Sequence, residues 1–281
     1  MFDTLRLSIR DIEIEGKLWH KDAKVKVLAL HGWLDNAASF DAIAPLMPEC
    51  TIFAFDQAGN GCSEFRPASS TYHLWDDLLD CLAIADALSW DQFHVVGHSR
   101  GAMLSMLLSA SLPKRVQSQI LLDGLMPIPV SPEKSPEQLA GFLSQNSRPA
   151  KTRYYPDFES LLAARVKASG LSDAASRVLA TRSIHQTDEG FYWRSDARLK
   201  TPSAIKMTKE MVFAMIAKVI APTTLILADK GFGRMPGIDA QIQAFERPIH
   251  LHHVKGSHHW HLEGDLSVCQ QFCRAHFVAY G

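Results

Sequence analysis

The chain lacks any apolar run long enough to cross a bilayer, and its first residues, Met1-Phe2-Asp3-Thr4-Leu5-Arg6, carry charge where an apolar leader would stand. Neither a transmembrane segment nor a signal peptide is predicted, and no membrane partner. Charge of one sign is lacking too. With 29 basic and 30 acidic residues the net charge is −1, which excludes the broad field that draws nucleic acid or an anionic surface. A neutral or small partner fits better. The five cysteines, Cys50, Cys62, Cys81, Cys269 and Cys273, are scattered, without the paired spacing of a disulfide scaffold or a thiolate metal site. They read as reduced thiols of a cytoplasmic protein. The sequence has no internal repeat and no low-complexity tract. Its glycine-rich stretch, Asp56-Gln57-Ala58-Gly59-Asn60-Gly61-Cys62-Ser63, has the spacing of neither a P-loop nor a dinucleotide fingerprint.

What is present is apolar patterning. A chain of 281 residues that is 47% hydrophobic can bury one large core. Residues 5–19 alternate apolar and polar twice (Leu5, Leu7, Ile9; Ile12, Ile14), which predicts antiparallel strands with one solvated face. Residues 25–30, 51–55, 93–96, 119–123, 223–228 and 249–254 are nearly continuous apolar runs, as in strands covered on both faces. Helical spacing falls between them: a short helix within 37–47, then 73–88, 102–108, 238–245 and 266–280. This alternation predicts an α/β fold around a mostly parallel sheet, with its ligand site beyond the carboxyl ends of the strands.

One part breaks the plan. Four prolines, Pro127, Pro129, Pro132 and Pro136, follow the strand at 119–123, and helical patterns then recur at 158–168, 172–181 and 206–219 without a buried strand. Residues 127–215 hold thirteen Lys and Arg against nine Asp and Glu, whereas the remainder holds sixteen against twenty-one. The reading is a mainly helical lid at 127–215, inserted in a core made of 1–126 and 216–281.

The chemistry centres on Gly97-His98-Ser99-Arg100-Gly101, fed by an apolar strand and followed by a helix. Strand, Gly-x-Ser-x-Gly and helix is the context in which a serine sits on a sharp, strained turn with its hydroxyl clear of the sheet. Histidines gather late in the chain at His250, His252, His253, His258, His259 and His261. No carboxylate or thiolate stands at a familiar ligand spacing from them, and neighbours on a strand point to opposite faces, so no metal is predicted.

These motifs together resemble the α/β-hydrolase superfamily over nearly the whole chain. More narrowly, His31-Gly32-Trp33-Leu34-Asp35-Asn36-Ala37-Ala38-Ser39-Phe40-Asp41, the Ser99 pentapeptide, Leu121-Leu122-Asp123-Gly124 and Trp193-Arg194-Ser195-Asp196-Ala197-Arg198-Leu199 resemble its serine hydrolase-like, Kraken-type branch. The resemblance implies Ser99 as nucleophile and the N–H groups of Arg100 and Trp33 as oxyanion donors, with His31 organising its loop. It implies a general base three residues before the histidine of a His-Leu-Glu, which is His258, with His259 as the alternative. The acid departs from the usual pattern. Most relatives carry it in a Gly-x-x-Asp tract that here reads Ala228-Asp229-Lys230-Gly231, so Asp123, which ends a buried strand on the same sheet edge as Ser99, is taken as the acid, with Asp229 as the alternative.

The implied activity is hydrolysis of a small-molecule carboxylic ester through an acyl-enzyme, with neither metal nor organic cofactor. The same triad also serves cleavage of a carbon–carbon bond in a diketone-like substrate, and the fold also accommodates non-catalytic ligand receptors. Trp33, His98, Phe142, Tyr154, Tyr155 and Trp193 are candidates for the substrate pocket. The positive balance of the lid adds an expectation of substrates with an anionic tail.

Overall fold

In the computed structural model, which describes residues 1–146 and 152–281, alternation and continuity sort the strands as the patterning predicts. β1 (Phe2–Ile9) and β2 (Ile12–Trp19) form an antiparallel hairpin, its two-residue turn made by Arg10 and Asp11, both at positive φ. The strands that follow are β3 (Val25–Leu30), β4 (Cys50–Phe55), β5 (Phe93–His98) and β6 (Val116–Leu122). After a small hairpin of β7 (Ile184–Thr187) and β8 (Gly190–Trp193) come β9 (Thr223–Lys230) and β10 (His250–Ser257). The main sheet has eight strands in the order β1-β2-β4-β3-β5-β6-β9-β10, parallel from β4 onward.

The helices are α1 (Leu74–Ala87), α2 (Arg100–Ser111), α3 (Ser135–Asn146), α4 (Phe158–Ser169), α5 (Asp173–Ser183), α6 (Lys209–Lys218), α7 (Ile238–Gln243), α8 (Trp260–Glu263) and α9 (Leu266–Tyr280). Period-two alternation gives the sheet two apolar faces. Val27, Ala29 and Ile52 pack toward Cys273 and Phe277 of α9, while Leu28, Leu30 and Phe53 pack with Ile84 and Ala85 of α1. Among the described residues, no helix is long and apolar enough to cross a membrane.

Three details differ from the sequence reading. Residues 37–47 form two 3₁₀ turns, Ala37–Phe40 and Ala44–Leu46, instead of one α-helix, because Pro45, inside the second turn, lacks the N–H that would continue the first. The half-exposed hairpin of β7 and β8 carries no buried-strand signal, so only its structure reveals it. α3, which the sequence reading did not single out, has no buried residue.

The segment between β6 and β9 is tied to the sheet's carboxyl edge by polar contacts. Arg182 of α5 lies 2.9 Å from Asp56 and 3.1 Å from Glu15, all with side chains at least nine-tenths buried. Arg165 of α4 lies 2.7 Å from Asp35. Asn36 Nδ2 donates to Leu179 O and Ser183 Oγ, and Asp196 accepts from Tyr72 Oη at 2.9 Å. Losing one partner of such a buried pair costs about 3–5 kcal/mol, because the other charge is left without an answer.

Candidate active site

Ser99 stands between β5 and α2 with φ 51° and ψ −111°, a conformation that a non-glycine residue holds only when its surroundings impose it. Close packing imposes it here. A Cβ at position 101 would lie 1.9 Å from Leu30 O, so only glycine lets α2 approach β3 this closely. The turn aims Ser99 Oγ at His258, whose Nε2 is 2.8 Å away. His258 Nδ1 in turn lies 2.6 Å from Asp123 Oδ2. Asp123 is fully buried at the end of β6, and its carboxylate also accepts from Ala228 N and Phe232 N, both at 2.8 Å. Three interactions thus fix the carboxylate, these two amides and the imidazole, and the residue's own backbone N–H donates to Ile226 O.

Asp229, the other candidate acid, points elsewhere: its Oδ1 accepts from Gly256 N at 2.9 Å. Gly231 is explained by the same geometry, since a Cβ there would lie 1.9 Å from Asp123 Oδ2. The carboxylate of Asp123 fills the space that a side chain at position 231 would take. His259 also turns away from Ser99, its Nε2 lying 3.0 Å from Asp35 Oδ2.

A cavity of about 840 Å³ opens beside Ser99, walled in part by Trp33, Arg100, Met103, Leu199 and Met207. The Trp33 indole closes one side by donating to Leu199 O at 3.2 Å. Arg100 begins α2, so its N–H has no acceptor within the helix, and its guanidinium is held by Asp77 and Gln57. His31 accepts from Gln57 N at Nε2 and donates from Nδ1 to Gly32 O, which shapes the loop before Trp33. Burial lowers its pKa.

A sequence profile for the alpha/beta hydrolase fold matches residues 26–206. The chain belongs to the α/β-hydrolase fold family. A serine hydrolase-like protein of Dictyostelium discoideum is 31% identical over 283 residues, spanning 92% of this chain and 77% of the relative. A serine hydrolase-like protein of Danio rerio is 29% identical over 272 residues, spanning 91% of this chain and 82% of the relative. A hypothetical protein of Pseudomonas aeruginosa PAO1 superposes with a TM-score of 0.92 at 35% identity, across 99% of both chains. A thioesterase domain from the curacin biosynthetic pathway shares the fold with a TM-score of 0.85 at 22% identity, over 97% of this chain and 99% of that domain. These likenesses support a hydrolase.

Within this α/β hydrolase several pocket candidates lie away from the cavity wall. Tyr154 packs edge-on against Tyr192, Tyr155 pairs with Phe191 through the backbone, and Trp193 lies under the Arg165 guanidinium. They belong to the packing around the small hairpin, and Phe142 lies against His73. His98 is not a wall residue either. It is fully buried beneath the site, with Nε2 donating to His258 O at 3.0 Å. Burial pushes its pKa down to about 4, so the ring is neutral and holds the backbone of the His258 loop by that one bond.

Sequence reasoning missed Asp35 as a hub. It sits inside the quoted His31–Asp41 motif, which was its only signal, and it meets His259, His98 and Arg165 in the buried interior. Burial by itself would raise its pKa, but the hydrogen bond from His259 outweighs it and the carboxylate is held well below its ordinary range. Among the described residues Asp35, His98 and His259 alone bring three ligand-type atoms within 4.8 Å of one another. Arg165 already occupies Asp35 Oδ1 and cancels its charge, so a divalent ion would leave an uncompensated positive charge in a buried place.

Proposed function

We propose that this α/β hydrolase cleaves a carboxylic ester of a small molecule through an acyl-enzyme formed on Ser99. The observation that carries the reading is the unbroken relay from Asp123 Oδ2 through His258 to Ser99 Oγ, ending at the wall of an apolar cavity. Ser99 Oγ attacks the ester carbonyl while His258 Nε2 takes its proton. Asp123 fixes the imidazole with Nδ1 protonated and stabilises the imidazolium. The N–H groups of Arg100 and Trp33 face the oxyanion of the tetrahedral intermediate, stabilising developing charge without reorganising water. His258 then returns the proton to the leaving alkoxide. A water molecule, deprotonated by the same imidazole, attacks the acyl-enzyme and releases the acid and free Ser99.

In this reading residues 127–215 act as a lid over a core of 1–126 and 216–281, a role supported by the wall that Leu199 to Met207 give the cavity. The unpaired cysteines support action in the cytoplasm. The test is covalent labelling. A fluorophosphonate probe is expected to label the wild type and to leave Ser99→Ala unlabelled, with ester hydrolysis lost in parallel. Labelling at a different serine overturns the assignment, and an unlabelled wild type that still binds ligands makes the fold a receptor instead.

A further inference from the structure

The charges that face the cavity are all of one sign. Lys200 and Lys206 line it, both exposed and neither in an ion pair among the described residues. Arg100 is the third cation in the wall, and Asp77 and Gln57 hold it. Among the described residues, no Asp or Glu lines the cavity. Asp76 and Asp77, which follow the wall residue Trp75, are directed at Arg10, Arg66 and Arg100. Two exposed ammonium groups of the wall thus have no counter-charge among the described residues.

Polar side chains such as Gln57, Asn60, His73 and Thr201 also line the wall, but apart from the two lysines its large exposed side chains are apolar. Trp33, Trp75, Ile128 and Ile205 all line the cavity while remaining 54%, 46%, 55% and 71% exposed. Large apolar side chains grouped in the open mark a surface that meets an apolar partner. Met103, Met207 and Met235 add flexible, polarisable side chains that adapt to chains of different length. The lysines are also carried on a fixed support. They flank the loop after the 3₁₀ turn Ala197–Lys200, which Asp196 caps and Arg198 anchors to the carbonyls of Pro67 and Ser70.

We propose that the cavity's ligand is an anionic amphiphile, an ester or thioester whose apolar chain fills the cavity while a carboxylate or phosphate group meets Lys200 and Lys206. A lysine ammonium is a compact point charge that suits either anion. The inference rests on the hydrolase reading only for the bond that is cut. Ligand class and catalysis are therefore tested separately.

Binding is measured on full-length Ser99→Ala, titrated with decanoate, decyl phosphate and the uncharged decanol. Both anions are expected to bind roughly three- to tenfold more tightly than decanol at low salt, as two exposed charge contacts allow. High salt should shrink that preference, because at about 1 M the screening length falls to about 3 Å, the span of an exposed charge contact. Lys200→Gln/Lys206→Gln in the same background should abolish it, and these exposed positions let the fold tolerate the change. A tighter decyl phosphate assigns a phosphate head group, and a tighter decanoate assigns a carboxylate.

Equal affinity for decanol and the anions overturns the proposal, as does a preference that survives loss of both lysines. Acetate or inorganic phosphate binding as well as the decyl compounds also overturns it, since the apolar chain would then contribute nothing. If the wild type turns over no ester while the decyl anions still bind Ser99→Ala through the lysines, the hydrolase reading fails and this one stands. Turnover of neutral esters without any anion preference does the reverse.

Discussion

At the position of the acid, two residues compete for one volume. Asp123 and Gly231 follow neighbouring parallel strands, in register from Gln119 opposite Thr223 to Leu122 opposite Ile226, so the loops that leave them meet beside His258. Either loop can supply a carboxylate there, and this chain supplies it from β6. Asp123→Asn is therefore expected to lower kcat by on the order of 10⁴ while the protein stays folded, and Asp229→Asn to change it little. Gly231→Ala should also impair turnover, because its methyl group displaces the carboxylate. Asp123→Gly/Gly231→Asp should recover part of what Asp123→Asn loses. Steady-state kinetics with melting curves for each variant decide the matter, and the opposite ranking of the two aspartates would move the role to Asp229. The serine was legible in sequence because an elbow has a short, local signature. The acid reads from sequence as Asp123 only with Asp229 beside it as the alternative, because the choice depends on which two strands lie side by side. His258 and His259 were left as alternatives for a similar reason, since consecutive residues leave the backbone in different directions, here toward Ser99 and Asp35.

At the scale of elements, α4 reaches the His258 loop through a single buried carboxylate. Arg165 meets Asp35, Asp35 meets His259, and His259 adjoins His258, the proposed base. The Asp35 side chain is 1% exposed and that of Arg165 is 14% exposed, so removing the guanidinium leaves a nearly dry negative charge. Arg165→Leu is expected to destabilise the fold by about 3 kcal/mol or more and to lower kcat more than it raises KM. Asp35→Asn/Arg165→Leu should regain part of that stability, since the orphaned charge is gone, and a double-mutant cycle on chemical denaturation measures the coupling. Additive losses would mean that the two side chains act independently. Sequence patterning placed α4 and α5 because each keeps a partly apolar face, but the ion pairs that seat them join residues 126 to 167 positions apart and leave no periodic trace. Tyr154, Tyr155 and Trp193, expected in the pocket, illustrate the same limit. Residue type marked them as binding candidates, whereas the pairing of β7 with β8 decided that they pack around a hairpin.

Across the whole molecule, strand existence and the parallel class follow from apolar continuity, but the order in which β4, β3 and β5 lie together is a long-range outcome that no local pattern carries. The same sheet buries histidines that set its response to acid. His94 of β5 and His276 of α9 both lie 2.7 Å from the Ser118 hydroxyl of β6, and His276 Nδ1 also meets Thr224 of β9 at 2.9 Å. This relay ties three neighbouring strands to the C-terminal helix, and it is satisfied with both rings neutral. Burial pushes His94 down to about 4 and His276 to about 3, as it pushes His98 to about 4. In the unfolded chain the same groups titrate near 6.5. Between these values the unfolded state binds more protons than the folded one, so stability rises with pH through the window and is lost on acidification, by about 1.4 kcal/mol per pH unit for each proton taken up. Asp35 works in the same direction at lower pH, since a depressed carboxylate loses its contribution as the pH falls through its folded value. The expected result is a Tm that is level above pH 7 and falls steadily from pH 6.5 toward pH 4, independently of Ser99. His276→Gln, which keeps a polar group against Ser118 and cannot take up a proton, should flatten part of that slope even where it lowers Tm at neutral pH. Melting curves collected across this range test both statements, and a wild-type Tm that stays level down to pH 4.5 would show that these histidines do not govern the acid limit of the fold.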